Sequence, residues 1–191
     1  MAGVDEVGRG SLAGPVFAAA VILNKNINTK DIKDSKKISF KKRILIAKYI
    51  KRNSTYAIGK ASVGEINKLN ILNASLLSMK RALNKLKPKP NMIYIDGLFA
   101  PKNIKINYKT IIKGDEKISS IAAASIIAKV SRDIFMIKLS KKFPNYYWEK
   151  NFGYGTKDHI RGLKKYGITR HHRKKFKPVH NILSSRTRET L

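Results

Sequence analysis

The sequence predicts a single α/β domain, in which short apolar strands alternate with helices around one core. The chain has 191 residues, within the length of about 100–200 residues that one domain usually has. Hydrophobic residues make up 42% of it and are spread through most of its length, which excludes a disordered polycation. Apolar runs of strand length are interspersed with longer segments of helical periodicity, so both kinds of element are expected to share that core.

Two apolar segments at the start of the chain, Ala2–Val7 and Val16–Leu23, predict the first two strands. Several glycines and a proline lie between them, as is typical of a turn. After a polar loop, Ser39 is predicted to cap a basic helix that reaches about Tyr49. Residues 55–63 are predicted to form a third strand.

A helix with one apolar face is predicted next, from hydrophobic residues spaced three or four positions apart. Pro88 and Pro90 end it, because proline cannot continue a helix. Two apolar segments, residues 92–95 and 104–112, predict further strands, and each is closely followed by an aspartate. The apolar face of the helix, which is predicted to pack in the core, consists of Leu69, Leu72, Leu76, Met79, Leu83 and Leu86.

The last third of the chain is predicted to be helical. Residues 118–139 are rich in alanine and isoleucine and predict a buried helix that lies close against the sheet. Residues 144–154 are aromatic and irregular, and Thr156 can cap a short basic helix after them. We therefore predict a core, residues 1–143, and a C-terminal basic helical extension of the same domain, residues 144–191.

The charge of the chain favours a nucleic-acid partner. Lysine and arginine number 41 against 12 aspartates and glutamates, which gives a formal net charge of +29. Such a positive field suits a polyanion. A genome-wide bias towards lysine, isoleucine and asparagine is an alternative source of part of this charge, so the charge alone does not identify the nucleic acid.

The absence of cysteine excludes disulfides and thiolate zinc sites and favours a reducing cytoplasm. The first residues lack the basic and apolar regions of a signal peptide, so export is not expected. No run of about 18 apolar residues is present, and a membrane span is not expected either. The default prediction is a cytoplasmic monomer.

Acidic residues are scarce, and four of them stand where predicted strands end: Asp5, Glu6, Asp96 and Asp115. Carboxylate oxygens are the ligands that Mg²⁺ and Mn²⁺ prefer, so the sequence predicts a site for one or two such ions. Because adjacent strand residues point to opposite faces, Asp5 and Glu6 cannot both reach one ion from a regular strand. The glycines that follow allow a bulge or an early strand end, and the longer Glu6 side chain can curl round to the metal. The alternative is that these acids only pair with cationic side chains.

Six motifs follow one another over nearly the whole chain. They are GVDEVGRGSLAGPV at residues 3–16, DSKKIS at 34–39, NILNASLLSMKRAL from residue 70, YIDG at 94–97, KGDEKISSIAAASIIAKVSRD at 113–133 and GYGT at 153–156. In this order and spacing they resemble the ribonuclease HII family, the type 2 ribonucleases H. The related ribonuclease HIII branch typically has GTG where this chain has Gly8, Arg9 and Gly10, so the resemblance is to ribonuclease HII.

The resemblance implies a ribonuclease H-like fold, with a central mixed β-sheet flanked by helices and a helical C-terminal extension that helps to hold the duplex. It implies hydrolysis of the RNA strand of RNA–DNA hybrids, and cleavage 5′ to ribonucleotides embedded in duplex DNA, assisted by Mg²⁺ or Mn²⁺. By motif position, the catalytic and metal-binding residues are again Asp5, Glu6, Asp96 and Asp115. Glu116 and Asp133 are nearby rivals, interpreted as a neighbouring charge and a helix ion-pair partner.

The resemblance also implies a set of substrate-binding residues. Glycines in a GRG turn let the backbone approach a ribose closely, and the family's tyrosine stacks at the ribonucleotide–deoxyribonucleotide junction. The alternatives are a tight turn for the glycines and solvated side chains for the lysines. The predicted substrate-binding residues are Gly8, Arg9, Gly10, Tyr154, Lys36, Ser125 and Lys129.

Other aromatic and imidazole side chains are predicted to be structural. The aromatic residues Tyr146, Tyr147 and Trp148 are interpreted as packed side chains. The four histidines of the C-terminal region are predicted to make surface or backbone contacts rather than to bind metal. These histidines are His159, His171, His172 and His180.

Two other functions remain open from the sequence. A different ribonuclease H-like enzyme, such as a transposase or a resolvase, would share the acids and the metal but would cut DNA. A noncatalytic basic protein, such as a ribosomal or nucleoid component, would have these acids by accident. Cleavage of a duplex with a single ribonucleotide distinguishes the three functions.

Overall fold

The computed structural model describes residues 1–33 and 39–189, and their strands form one mixed sheet in the order β3-β2-β1-β4-β5. β1, β2 and β3 are antiparallel neighbours, whereas β4 pairs parallel with β1, and β5 pairs parallel with β4. The parallel pairing places the carboxyl ends of β1 and β4 at the same edge of the sheet. The strands are β1 Ala2–Val7, β2 Val16–Leu23, β3 Ser54–Ala61, β4 Met92–Asp96 and β5 Asn107–Ile111.

Helices cover both faces of this sheet, which confirms the predicted α/β fold class. Among those described, none has both the length and the apolar character that crossing a bilayer requires. A short 3₁₀ helix, Pro144–Tyr146, precedes α7. The helices are α1 Lys30–Lys33, α2 Phe40–Arg52, α3 Val63–Leu69, α4 Ile71–Lys85, α5 Gly114–Lys117, α6 Ser119–Ser140, α7 Trp148–Asn151, α8 Lys157–Tyr166 and α9 Lys177–Glu189.

Alternating side chains of β2 build the two core layers, as the two-residue period of a strand requires. Ala19 and Val21 face α2 and α6, whereas Ala18 and Ala20 face α4. Because these alanines are small, the helices can lie close to the sheet.

Gly3 fixes the position of α6 over β1. A Cβ at this position would lie 2.1 Å from the backbone carbonyl carbon of Ser120, so no larger residue fits. The close approach brings the first turns of α6 to the end of β1, where Asp5 lies.

Three predicted boundaries differ from the structure. β3 ends before Ser62, because the Ser62 side chain accepts a hydrogen bond from the Glu65 N–H and caps α3. The helix predicted along the leucine face is interrupted at Asn70, which has a φ of 71° and caps α4 by accepting a hydrogen bond from the Asn73 N–H. β5 is shorter than the predicted strand 104–112.

The C-terminal elements pack against the loop between β1 and β2. Leu12 and Ala13 of this loop share an apolar cluster with Met136, Tyr146 and Trp148. The structural roles predicted for Tyr146 and Trp148 are confirmed, since both are buried. The prediction is wrong for Tyr147, which connects the 3₁₀ helix to α7 in a left-handed conformation and stays 38% exposed.

Candidate metal and nucleic-acid site

The strand register brings two of the predicted acids together. Val4 of β1 pairs with Ile95 of β4, and Asp5 and Asp96 are the residues that follow this pair on the two parallel strands. Asp5 is only 5% exposed. The hydroxyl of Ser125 donates a hydrogen bond to its carboxylate. Both carboxylates therefore lie at the same edge of the sheet, below the first turns of α6.

Backbone N–H groups hold the two aspartates in place. Asp5 Oδ1 accepts a hydrogen bond of 2.7 Å from the Glu6 N–H. Asp96 Oδ1 accepts one of 2.6 Å from the N–H of Gly114, the first residue of α5. At Asp5, hydrogen bonds of this kind act to lower the pKa of the carboxylate.

The electrostatics of the site favour a bound cation. Burial raises the pKa of Asp5 well above its usual value, and the charges of Glu6 and Asp96 raise it further. Burial also raises the pKa of Glu6, and the neighbouring Asp96 adds to this effect, although Arg9 opposes it. Three carboxylates that repel one another in a buried position are stabilised by a divalent ion, because the ion compensates their charge.

Of the alternatives that the sequence left open at Asp5 and Glu6, the structure has no bulge. β1 pairs regularly with β2 through Val7, and the left-handed Gly8, with a φ of 93°, comes only after the strand has ended. The longer side chain of Glu6 nevertheless lies within electrostatic range of Asp96. Glu6 thus belongs to the acidic cluster without a distortion of the strand.

The remaining acids occupy different places. Asp115 is half-buried on α5, one residue after Gly114, which binds Asp96. Glu116 is exposed. Asp133 lies on α6 and accepts a hydrogen bond of 2.6 Å from Lys129, which confirms the predicted ion pair.

The donor set fits a hard divalent ion. Across residues 1–33 and 39–189, no group of three or more histidine, aspartate or glutamate side chains is arranged so that it could hold a metal ion by itself. Mg²⁺ typically uses one or two carboxylates and completes its octahedron with water and substrate phosphate. The carboxylates of Asp5, Glu6 and Asp96 are donors of this kind.

Two buried arginines hold the glycine-rich loop between β1 and β2. Arg132 donates hydrogen bonds to the carbonyl oxygens of Ala13 at 3.0 Å and Pro15 at 2.9 Å. Arg173 donates to the carbonyl of Arg9 at 2.8 Å and twice to that of Gly14. The sequence analysis missed both arginines. The one indication of their role in the sequence is that they are arginines in a chain whose basic residues are mostly lysine. Arginine can form several directed hydrogen bonds at once.

Tyr154 lies beside the GRG turn, as its predicted role requires. Its Cε1 atom is 4.0 Å from the position that a Cβ on Gly10 would take. The guanidinium carbon of Arg132 lies 5.7 Å from the centre of the tyrosine ring, and Lys129 Nζ lies 6.0 Å from it. Arg9 connects this turn to the acidic cluster through a 3.2 Å ion pair with Glu6.

Most predicted site residues thus fall into two adjoining groups, the acids with Ser125 and the GRG turn with Tyr154 and Lys129. The predicted phosphate contact Lys36, with its neighbour Lys37, lies outside the described residues. His159 and His172 are buried, 0% and 1% exposed, but both make the predicted backbone contacts, to the Tyr154 carbonyl and the Thr169 N–H. Neither imidazole borders the acidic cluster, because both pack against Trp148 in the C-terminal region.

Comparisons with known proteins agree with this geometry. The family model described as Ribonuclease HII matches residues 2–179. A ribonuclease HII from Pelagibacter ubique is 60% identical over 185 residues, which cover 96% of this chain and 98% of the relative. The structure of ribonuclease H2 from Pyrococcus horikoshii OT3 has a TM-score of 0.81 and 29% identity and covers 98% of both chains.

A more distant structure shares the fold alone. The structure of Bst-RNase HIII in complex with Mn²⁺ has a TM-score of 0.74 at 19% identity and covers 98% of this chain and 70% of that one. These likenesses confirm the expected ribonuclease H-like architecture. Since the family model spans almost the whole chain and a relative of similar length is 60% identical, this chain belongs to the ribonuclease HII family, whose members are metal-dependent endonucleases that cut the RNA of RNA–DNA hybrids.

Proposed function

We propose that Asp5, Glu6, Asp96 and Asp115 form the catalytic site of this ribonuclease and hold one or two Mg²⁺ or Mn²⁺ ions. The observation that carries the proposal is the parallel register of β1 and β4, which sets Asp5 beside Asp96 with Glu6 in electrostatic range. The Mn²⁺ in the ribonuclease HIII complex supports the choice of metal.

The reaction is hydrolysis of the phosphodiester on the 5′ side of a ribonucleotide, which leaves 3′-hydroxyl and 5′-phosphate ends. Divalent ions supply the positive charge that activates water and stabilises the departing oxygen. The chain's own residues orient the carboxylates: Ser125 and the Glu6 N–H hold Asp5, and the Gly114 N–H holds Asp96. Because Ser125 binds Asp5, we assign it to positioning this carboxylate as well as to the substrate side of the site.

In this proposal Gly8, Arg9 and Gly10 recognise the ribose, and Tyr154 stacks on the sugar or base at the junction. A 2′-hydroxyl both donates and accepts hydrogen bonds, and a glycine backbone lets it approach closely. The short distance between Gly10 and the Tyr154 ring supports a shared subsite. Lys129 lies on the same side as Tyr154 and supplies positive charge for a phosphate.

Other parts of the proposal concern the whole chain. Residues 1–143 are the catalytic core, and residues 144–191 form the basic extension that holds the substrate. The substrates are RNA–DNA hybrids and ribonucleotide-containing duplex DNA, and Lys36 contacts phosphate. The enzyme acts as a cytoplasmic monomer.

The test compares three duplexes: one with a single ribonucleotide, one long RNA–DNA hybrid and one of DNA alone, each with Mg²⁺, Mn²⁺ or EDTA. We expect the wild type to cut the single-ribonucleotide duplex and the long hybrid with either Mg²⁺ or Mn²⁺, and to cut neither of these duplexes in EDTA. Asp5→Asn should lose cleavage but keep duplex binding, whereas the control Glu149→Gln, at an exposed residue, should cleave normally.

Two outcomes would overturn the proposal. Cleavage of the all-DNA duplex would indicate a transposase- or resolvase-like nuclease. Full activity of Asp5→Asn with Mg²⁺ would remove the assigned carboxylate from the reaction. A protein that bound every duplex and cut none would match the noncatalytic alternative.

A further inference from the structure

A series of buried hydrogen bonds ends at Tyr154, whose ring is proposed to stack on the substrate. The Thr169 N–H and His172 Nδ1 are 2.9 Å apart. His172 Nε2 and His159 Nε2 are 3.1 Å apart, and Trp148 Nε1 is also 3.1 Å from His159 Nε2. His159 Nδ1 is 2.9 Å from the carbonyl oxygen of Tyr154. The acidic residues take no part in this chain of contacts.

The partners at the two ends fix both tautomers. A carbonyl oxygen can only accept, so His159 Nδ1 carries the proton and donates to Tyr154. A backbone N–H can only donate, so His172 Nδ1 is the acceptor and its Nε2 carries the proton. His159 Nε2 then accepts from both His172 and Trp148. Every ring nitrogen has a partner of the right type, provided that both imidazoles are neutral.

The geometry ties this chain of contacts to the GYGT turn. His159 lies in the first turn of α8, directly after Tyr154 and the capping residue Thr156. The other bonds of the Tyr154 backbone are short-range: its N–H binds the Asn151 carbonyl, and its carbonyl also accepts from the Thr156 N–H. The bond from His159 ties the Tyr154 carbonyl through one imidazole to the buried side chains of His172 and Trp148, whereas the Tyr154 N–H reaches Tyr146 only through Asn151.

We propose that His159 and His172 are positioning residues for ribonucleotide recognition, which act by holding the Tyr154 backbone so that its ring lies beside Gly10. His172 orients His159, and His159 anchors the tyrosine carbonyl. This inference rests on the proposed function, because it assumes that Tyr154 recognises the junction at a lone ribonucleotide. A purely structural role for the histidines would instead lower the amount of folded enzyme and affect all substrates equally.

Two substitutions of one residue separate these roles. In His159→Asn the side-chain amide can take the place of Nδ1–H and still donate to the Tyr154 carbonyl. In His159→Gln the amide reaches the place of Nε2, so it can meet Trp148 and His172 but not the tyrosine carbonyl. Both variants remove the imidazole, so their comparison isolates the bond to Tyr154.

The measured quantity is the ratio of cleavage rates on a single-ribonucleotide duplex and on a long hybrid. We expect His159→Gln to lower this ratio about tenfold, the scale of losing one orienting hydrogen bond, whereas His159→Asn stays close to the wild type. The control His180→Gln, on the exposed side of α9, should leave the ratio unchanged. In a Tyr154→Ala background His159→Gln should lower the ratio no further, because the contact that it positions is already gone.

A measurement on the wild type keeps the inference testable even if the variants fold poorly. Nitrogen-15 spectra of the histidines near neutral pH should show His159 as the Nδ1–H tautomer and His172 as the Nε2–H tautomer. The opposite tautomers, or equal ratios for His159→Asn and His159→Gln, would overturn the inference. If the wild type itself cut neither duplex, or if Tyr154→Ala left the ratio intact, the failure would lie in the proposed function instead.

Discussion

Gly8→Ala is predicted to destabilise the fold severely, although it adds only one methyl group, because Gly8 is buried. Gly8 has a φ of 93°, a conformation that alanine rarely adopts. A Cβ there would lie 2.2 Å from Nε and 2.8 Å from Cζ of Arg132. The arginine cannot move aside freely, because its guanidinium binds the carbonyls of Ala13, Pro15 and Phe152.

The magnitude follows from two costs. A strained backbone conformation of this kind costs about 1–3 kcal/mol. An overpacked contact in a rigid environment costs about another 1–3 kcal/mol. The free energy of unfolding should therefore fall by roughly 2–6 kcal/mol, a large part of the roughly 5–15 kcal/mol that a domain usually has.

Gly10→Ala is the matched control, because it changes the same motif without these costs. Gly10 is not among the residues with positive φ, and its added Cβ would meet only the Tyr154 ring at 4.0 Å. Its unfolding free energy should change by less than about 1 kcal/mol. Urea unfolding of the two variants and the wild type measures the difference. Equal stabilities of Gly8→Ala and Gly10→Ala would refute the claim that Arg132 locks the turn.

Three further predictions concern charge. Burial and the neighbouring His159 lower the pKa of His172 to about 3. A histidine in the unfolded chain titrates near 6.5. The stability that depends on neutral His172 is therefore fully present above pH 6.5 and is lost as the pH falls below it. Between about pH 7 and about pH 5.5 the wild type should lose about 1 kcal/mol more unfolding free energy than His172→Gln, and equal losses in a denaturant series would contradict this. In EDTA, Asp5→Asn should raise the unfolding free energy by about 0.5–2 kcal/mol, because it removes a buried charge that Glu6 and Asp96 repel. Mn²⁺ should raise the Tm of the wild type but not that of Asp5→Asn. The affinity for an RNA–DNA hybrid, measured by fluorescence anisotropy, should fall linearly with salt concentration on a log–log plot, because phosphate contacts release counterions. A flat plot would place the positive charge of the chain away from the interface.

The sequence predicted the elements that depend on local pattern. β1 and β2 have the predicted bounds because continuous apolar runs with glycines between them are local signals. Ser39 and Thr156 cap the helices that were predicted to follow them, for the same reason. Because acids are scarce in this basic chain, the sequence alone indicated Asp5 and Asp96 as candidate metal ligands.

Long-range pairing could not be predicted from these patterns. Nothing near Val4 indicates that β1 pairs with β4 rather than with β3. The shared ion site was therefore predicted from the scarcity of acids and from the family resemblance, and not from a predicted strand order. The buried side chains of Arg173 and His172 were missed because their neighbours in the sequence are basic and polar. Such residues are buried only when distant carbonyls and N–H groups satisfy them, and that condition appears only in the fold.

The C-terminal extension therefore does more than add positive charge to the chain. Burial and the neighbouring Arg132 lower the pKa of Arg173 to about 9, so the guanidinium is still charged at neutral pH, inside the protein. A buried charge of this kind is tolerated only if its hydrogen bonds are satisfied, and here the carbonyls of Arg9 and Gly14 satisfy them. The GRG turn near one end of the chain and the extension near the other thus stabilise each other. Since Tyr154 of the same region lies beside Gly10, the acids and the residues proposed to recognise the ribose come from segments that are far apart in the sequence and meet only in the fold.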